Sequence, residues 1–153
     1  MVCVAWKAGL TECRLSKKGE VRKAVKIALQ TGYTHIDCAL IYGNESEVGE
    51  GIKDWGGDRS KIWVTSKLWN HQHNPSEVSK GLETTLKDLQ LEYIDLYDPH
   101  HVMIFTDERY LIHWPLAFQP GKGQFPKDDD GNVIIDKQTT VADVFPHPAN
   151  CKY

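Results

Sequence analysis

Stretches with helical periodicity alternate with short β-rich runs along this chain, and that alternation constrains its fold more than any other feature. Over residues 17–30, Val21, Ala24, Val25, Ala28 and Leu29 recur at the spacing of an amphipathic helix, and Gly32 follows as a stop signal. Asn44 is placed to cap a second helix, with Glu47 three residues on in a capping-box arrangement and Gly56-Gly57 ending it. Asn74-Pro75 opens a third helix, with Pro75 at its first position and Val78, Leu82, Leu86 and Leu89 keeping the period. The runs 33–38, 61–66 and 92–97 have strand length, and Ile62, Trp63, Val64 and Thr65 are residue types that favour strands.

Strands separated by helices of this length predict βαβ units and a parallel sheet. Such a sheet carries its working residues at the carboxyl ends of its strands, where the loops diverge. Those positions hold Asp37 and Tyr42 after one strand and Lys67 after the next. Asp37 and Lys67 are 30 positions apart, one βαβ repeat, so a carboxylate, a phenol and an amine are expected on one rim. Segments of this length also suit an open doubly wound sheet, but the first strand-to-helix turn lacks G-x-G-x-x-G.

Composition narrows the function classes. The 153 residues make one ordinary domain, 41% apolar and 25% charged, enough to bury a core. A net charge of −3, with both signs mixed along the chain, gives no nucleic-acid or membrane surface. The run Asp128, Asp129, Asp130 before Gly131 reads as a solvated turn. No stretch approaches the ~20 apolar residues of a membrane span. No secretory pattern opens the chain, so the cytoplasm is the expected compartment. Cys3, Cys13, Cys38 and Cys151 form no close pair and are expected as reduced thiols. His71, His73, His100 and His101 lack a complementary ligand pair at metal-site spacing, so no metal is expected.

The segment 32–49, GYTHIDCALIYGNESEVG, closely resembles the aldo-keto reductase signature, with Thr34 where the family usually carries Arg. Lys67 in WVTSKLWN and His113 in LIHWP resemble later motifs of that family. PSEVSKGLETTLKDLQLEYIDLY and FPKDDDGNVI read the same way. Four motifs in the right order are far more specific than any one. The resemblance runs from about Trp6 to Asp143. It implies an α/β fold, a partial (β/α)₈ TIM barrel of about four strands built from parallel βαβ units. It divides the chain into residues 1–143, the N-terminal half of such a barrel with an atypical insert at 98–110, and a divergent tail at 144–153. It further implies NADPH-dependent reduction of aldehydes or ketones, a small-molecule carbonyl substrate and no metal.

Carried over residue by residue, Asp37, Tyr42, Lys67 and His113 are the catalytic tetrad, with Tyr42 the proton donor and Asp37 also touching the cofactor. Trp6, Trp69 and Trp114 resemble the aromatic residues that line the substrate mouth. Reduction of a carbonyl leaves negative charge on oxygen, so a proton donor must sit beside it. Free tyrosine, with a pKa of about 10, is a weak acid at neutral pH. A nearby Lys67 ammonium would lower the Tyr42 pKa, Asp37 would hold that ammonium, and His113 would donate a hydrogen bond to the carbonyl oxygen. Taken without the resemblance, Asp37 is an ordinary turn or cap residue and Tyr42 a half-buried loop aromatic. Lys67 and His113 are then surface or locally bonded groups, and the tryptophans are core.

The pattern is interrupted in places. Residues 98–110 divide what would otherwise read EYIDLYLIHWP, and without them the Lys67–His113 separation drops from 46 to 33. Residues 9–16 look like a smaller insertion, and the start leaves barely a first strand. A complete barrel takes about 250 residues, and in this family most groups that hold the dinucleotide come from the second half. Self-association through exposed barrel edges is therefore expected, and the alternative reading is a non-catalytic fragment or regulatory module of the same fold.

Overall fold

A computed structural model describes residues 2–3, 16–95 and 111–144. Trp6, residues 9–15, the insert 98–110 and residues 145–153 lie outside the described residues. In chain order the elements are β1 (Val2–Cys3), α1 (Glu20–Gln30), β2 (His35–Asp37), α2 (Glu45–Trp55), β3 (Trp63–Thr65), β4 (Lys67–Leu68), α3 (Pro75–Leu89), β5 (Leu111–Ile112), β6 (Ala117–Phe118), β7 (Ile135–Asp136) and α4 (Val141–Val144). The described residues fall in two compact units, one of 2–3, 16–66 and 85–95, the other of 67–84 and 111–144.

In the first unit β1, β2 and β3 form a parallel sheet in that order. Ile36 of β2 sits beside Val64 of β3, with 1% and 0% exposure. Each new strand adds to the same edge, the progression of a barrel wall; a doubly wound sheet reverses its strand order. Helix α1 buries Val21, Val25 and Leu29, and α2 buries Val48 and Ile52, each full burial stabilising by about 1.5–3 kcal/mol. Gly51 permits the close crossing of the two helices, because a Cβ there would stand 2.7 Å from the Arg22 carbonyl oxygen. Gly49 plays the same part against the backbone of Leu89 at the end of α3.

Three local expectations are corrected. Helix α1 starts at Glu20, not at residue 17, because Gly19 takes φ +85 and the chain turns there. The capping box at the start of α2 does not form: Asn44 makes no side-chain cap bond. Glu47 instead accepts from Gly19 N–H at 2.9 Å and Arg22 N–H at 3.4 Å. Gly19 offers α1 no side chain to cap with, so the carboxylate of the next helix satisfies its orphan donors. The strand expected at 92–97 is not a strand over 92–95. Asp95 N–H does pair with the Val64 carbonyl at 2.7 Å. The neighbouring backbone groups are taken by side chains: Arg59 Nη2 donates to Tyr93 O at 3.1 Å, and Asp95 Oδ2 accepts from Val64 N–H at 3.1 Å. The runs 33–38 and 61–66 narrow to the three-residue strands β2 and β3.

In the second unit β4 and β5 pair in parallel, Lys67 beside Leu111 and Leu68 beside Ile112. LIHWP thus resumes strand pairing, as its sequence suggests. β6 and β7 form an antiparallel pair. Between them Asp128 accepts from the N–H groups of Asp130 and Asn132, and Gly131 takes φ +85, the solvent-facing turn expected there. Third helix α3 starts at Pro75, with Asn74 Oδ1 accepting from Ser76 N–H at 3.1 Å. Among the described residues, no helix is long and apolar enough to cross a membrane.

Candidate active site

Asp37 is the last residue of β2 and half-buried. Its Oδ1 accepts a hydrogen bond from Thr65 Oγ1 at 3.0 Å, and Thr65 is its register partner on β3. Two strand ends are therefore joined through their side chains. Cys38 N–H extends the pairing to the Thr65 carbonyl at 2.8 Å, and Cys38 is a buried thiol. After the extended residue Ala39 the chain closes into a 3₁₀ turn, Leu40–Tyr42. Tyr42 N–H bonds the Ala39 carbonyl at 3.0 Å, and Gly43 ends the turn at φ +64, a conformation glycine adopts without strain. This turn carries the half-buried Tyr42 phenol at the carboxyl end of β2.

In the second unit Lys67 opens β4, a short strand of its own rather than the loop expected there. Leu68 beside it is wholly buried while Lys67 is half-buried, the alternation of an extended segment. The Leu68 carbonyl accepts His113 N–H at 3.0 Å. Lys67 and His113 therefore sit on neighbouring, paired segments, and the imidazole leaves the chain directly after β5.

Around His113 stands an aromatic wall. The Trp69 indole is 5.1 Å from the His113 ring, nearly edge-on at 81°. Trp114 lies 5.3 Å from Trp69, Phe125 5.4 Å and Phe118 5.8 Å. Trp69 is buried, and its Nε1–H donates to the Gln124 carbonyl at 2.8 Å, which satisfies the one polar atom an indole brings inside. Trp114 and Phe125 remain about half exposed, at 48% and 49%. The wall is anchored on one side and open on the other. Phe118 and Phe125 escaped the sequence reading; their only signal is an aromatic flanking each end of a turn with glycines at positions 121 and 123.

His73, three residues after Asn70 at the start of a 3₁₀ turn, is 1% exposed. Burial pulls its imidazole down to about 4, against the opposing effect of a hydrogen bond to the Leu68 backbone. It is a neutral ring at neutral pH and braces the carbonyl that also receives His113. Both described arginines are already engaged: Arg22 with Asp54 and Glu50, Arg59 with Asp95.

The site residues thus divide as Asp37 and Tyr42 in the first unit, and Lys67, Trp69, His113 and Trp114 in the second. Comparison with known proteins completes the picture. A family model described as the aldo/keto reductase family matches residues 5–116. An uncharacterized oxidoreductase of Schizosaccharomyces pombe is 53% identical over 122 residues, covering 80% of this chain and 34% of that protein. Human aldo-keto reductase family 1 member A1 is 48% identical over 126 residues, covering 79% and 35%. Among solved structures, aldose reductase from Schistosoma japonicum superposes with a TM-score of 0.68 at 42% identity, over 80% of this chain and 38% of that one. Aldose reductase from Giardia lamblia gives 0.69 at 37% identity, over 86% and 40%. The chain spans about a third of the length of the curated relatives it matches. The parallel strands and these superpositions make the fold part of a (β/α)₈ barrel.

Proposed function

Because this chain belongs to the aldo/keto reductase family, we propose that its site reduces the carbonyl group of small aldehydes or ketones to an alcohol. The observation that carries the reading is the aromatic wall around His113, an apolar surface beside a single hydrogen-bonding imidazole. A carbonyl compound packs its carbon skeleton on such a wall and turns its oxygen to the ring N–H.

Each chain residue then has one task. His113 donates a hydrogen bond to the substrate oxygen and fixes its pose. Tyr42 delivers its phenolic proton to that oxygen as negative charge develops, a contribution of about 10²–10⁴-fold. The Lys67 ammonium favours the tyrosinate left behind, and Asp37 orients that ammonium. Thr65 steadies Asp37 through the hydroxyl bond at 3.0 Å. Trp69 and Trp114 line the mouth and exclude water.

NADPH, the cofactor of this reading, supplies the hydride when bound. In this reading Asp37, half-buried at the end of β2, would meet its nicotinamide end. Arg22 and Arg59 are both engaged by carboxylates, so neither is proposed for the adenosine phosphate. The cytoplasm is the setting proposed for this chemistry. The domain limits proposed are 1–143 for the barrel portion and 144–153 for the tail.

The test is a titration of tryptophan fluorescence with NADPH, followed by aldehyde-dependent loss of NADPH absorbance. Saturable quenching plus turnover that disappears in Tyr42→Phe supports the reading. Quenching without turnover favours a binding module of the same fold, and neither effect would overturn both.

A further inference from the structure

We propose that Glu45 is a positioning residue for Lys67, acting through the hydroxyl of Ser66. The inference rests on the carbonyl-reductase reading for its purpose, while its geometry is independent of that reading.

Glu45 is the first residue of α2 and only 3% exposed. Glutamate is almost never buried so far unless its oxygens are hydrogen-bonded. Here Oε1 accepts from Ser66 Oγ at 2.5 Å and Oε2 from Thr85 Oγ1 at 3.3 Å. Both hydroxyl residues are themselves buried, Ser66 at 1% and Thr85 at 0%. The start of a helix also favours a negative side chain there. The shorter of these bonds goes to Ser66, so that hydroxyl is the nearer partner of the carboxyl group.

Ser66 follows β3 directly and is covalently joined to Lys67. Its neighbour Thr65 is bonded to Asp37. Successive side chains of an extended segment leave on opposite sides. The end of β3 is therefore held by two carboxylates, Asp37 on Thr65 and Glu45 on Ser66, in the two residues before the amine. A network of buried polar groups is a costly way to gain stability alone, since apolar residues of similar volume often do as well. It does fix direction, and an error of about 1 Å in a reacting group can cost about 10²-fold in rate.

The experiment measures Lys67 itself. Competitive acetylation of the intact chain with acetic anhydride, read by peptide mass spectrometry across pH, reports the reactivity of the Lys67 amine and requires no turnover. In Ser66→Ala and Glu45→Gln that reactivity is expected to change by about fivefold, the equivalent of one lost hydrogen bond. Ser66→Thr, which keeps the hydroxyl, is expected to restore it. Thr85→Val removes a different bond to the same carboxylate. It is expected to lower the melting temperature while Lys67 labels as in the parent chain. Glu45→Gln carries the test if Ser66→Ala does not fold. Parent-like labelling in folded Ser66→Ala and Glu45→Gln, or an equal change in Thr85→Val, would overturn the proposal. Altered labelling in a chain that never oxidises NADPH would sink the reductase reading and leave this one standing.

Discussion

Thr65 donates its hydroxyl hydrogen bond to Asp37 across 3.0 Å, between residues paired in register on β3 and β2. A parallel sheet leaves its strand ends to diverge into loops, so this bond adds a side-chain tie beside the last backbone bond of the ladder, Cys38 N–H to the Thr65 carbonyl. Thr65→Val keeps the shape and the β-branched stiffness but removes the donor. The expected loss is about 1–2 kcal/mol in chemical denaturation. Under the reductase reading, kcat falls with little change in the KM for aldehyde, since Asp37 is not part of the substrate wall. A variant as stable as the parent would show the bond to be idle.

Glu47 serves the helix before its own. Removing the carboxylate in Glu47→Ala leaves Gly19 N–H and Arg22 N–H without their acceptor. The expected cost is about 1 kcal/mol, the scale of a lost helix cap. Glu47→Gln retains an acceptor oxygen and should lose less. Thermal melts of the two variants beside the parent chain separate these outcomes.

Arg59 binds three groups at once: the Ile62 carbonyl at 2.9 Å, the Tyr93 carbonyl at 3.1 Å and Asp95 Oδ2 at 2.6 Å. Its guanidinium also lies 4.2 Å above the Tyr93 ring. A lysine ammonium cannot reproduce that planar fork. Arg59→Lys is expected to cost about 2–3 kcal/mol, because Asp95 is mostly buried and would lose its partner. Hydrogen exchange of Val64 N–H, which bonds the same carboxylate, should speed up in the variant; unchanged exchange would count against the clamp.

His73 makes the fold sensitive to acid. Its pKa is pulled from 6.5 to about 4 in the folded chain. Between those values the unfolded chain binds the proton and the folded chain does not, so stability rises with pH through this window. It is complete above about pH 6.5 and is lost as pH falls towards 4, by about 3 kcal/mol from this residue. His71, also lowered by burial, adds in the same direction. Denaturation midpoints measured from pH 7 to pH 4 should fall steeply for the parent and less for His73→Gln.

Much of this was legible in the sequence because it rests on local chemistry. Pro75 begins α3, Gly56 ends α2 at φ +68, and Gly32 follows α1, each as its residue type requires. The order of Asp37, Tyr42, Lys67 and His113 was legible as a motif series. What stayed hidden depends on partners distant in sequence. Glu47 fits a capping box by spacing, but the better donors belonged to a helix 25–28 residues earlier. The run 92–97 has strand composition, yet the Arg59 and Asp95 side chains occupy the backbone groups a strand would pair. Glu45 stands two residues from Glu47 and looks equally ordinary; only burial against Ser66 and Thr85 sets it apart. Phe118 and Phe125 join Trp69 through a turn whose path no periodicity predicts.

The bond from Trp69 Nε1 to the Gln124 carbonyl spans 55 positions and latches the turn bearing Phe125 to a buried indole. Because the latch uses a main-chain oxygen, substitutions along that turn can redecorate the open face of the wall without unfastening it. Under the reductase reading, selectivity for the shape of a guest molecule could therefore drift while the groups proposed to handle the proton stay unchanged, giving evolution a dial it can turn without touching the engine.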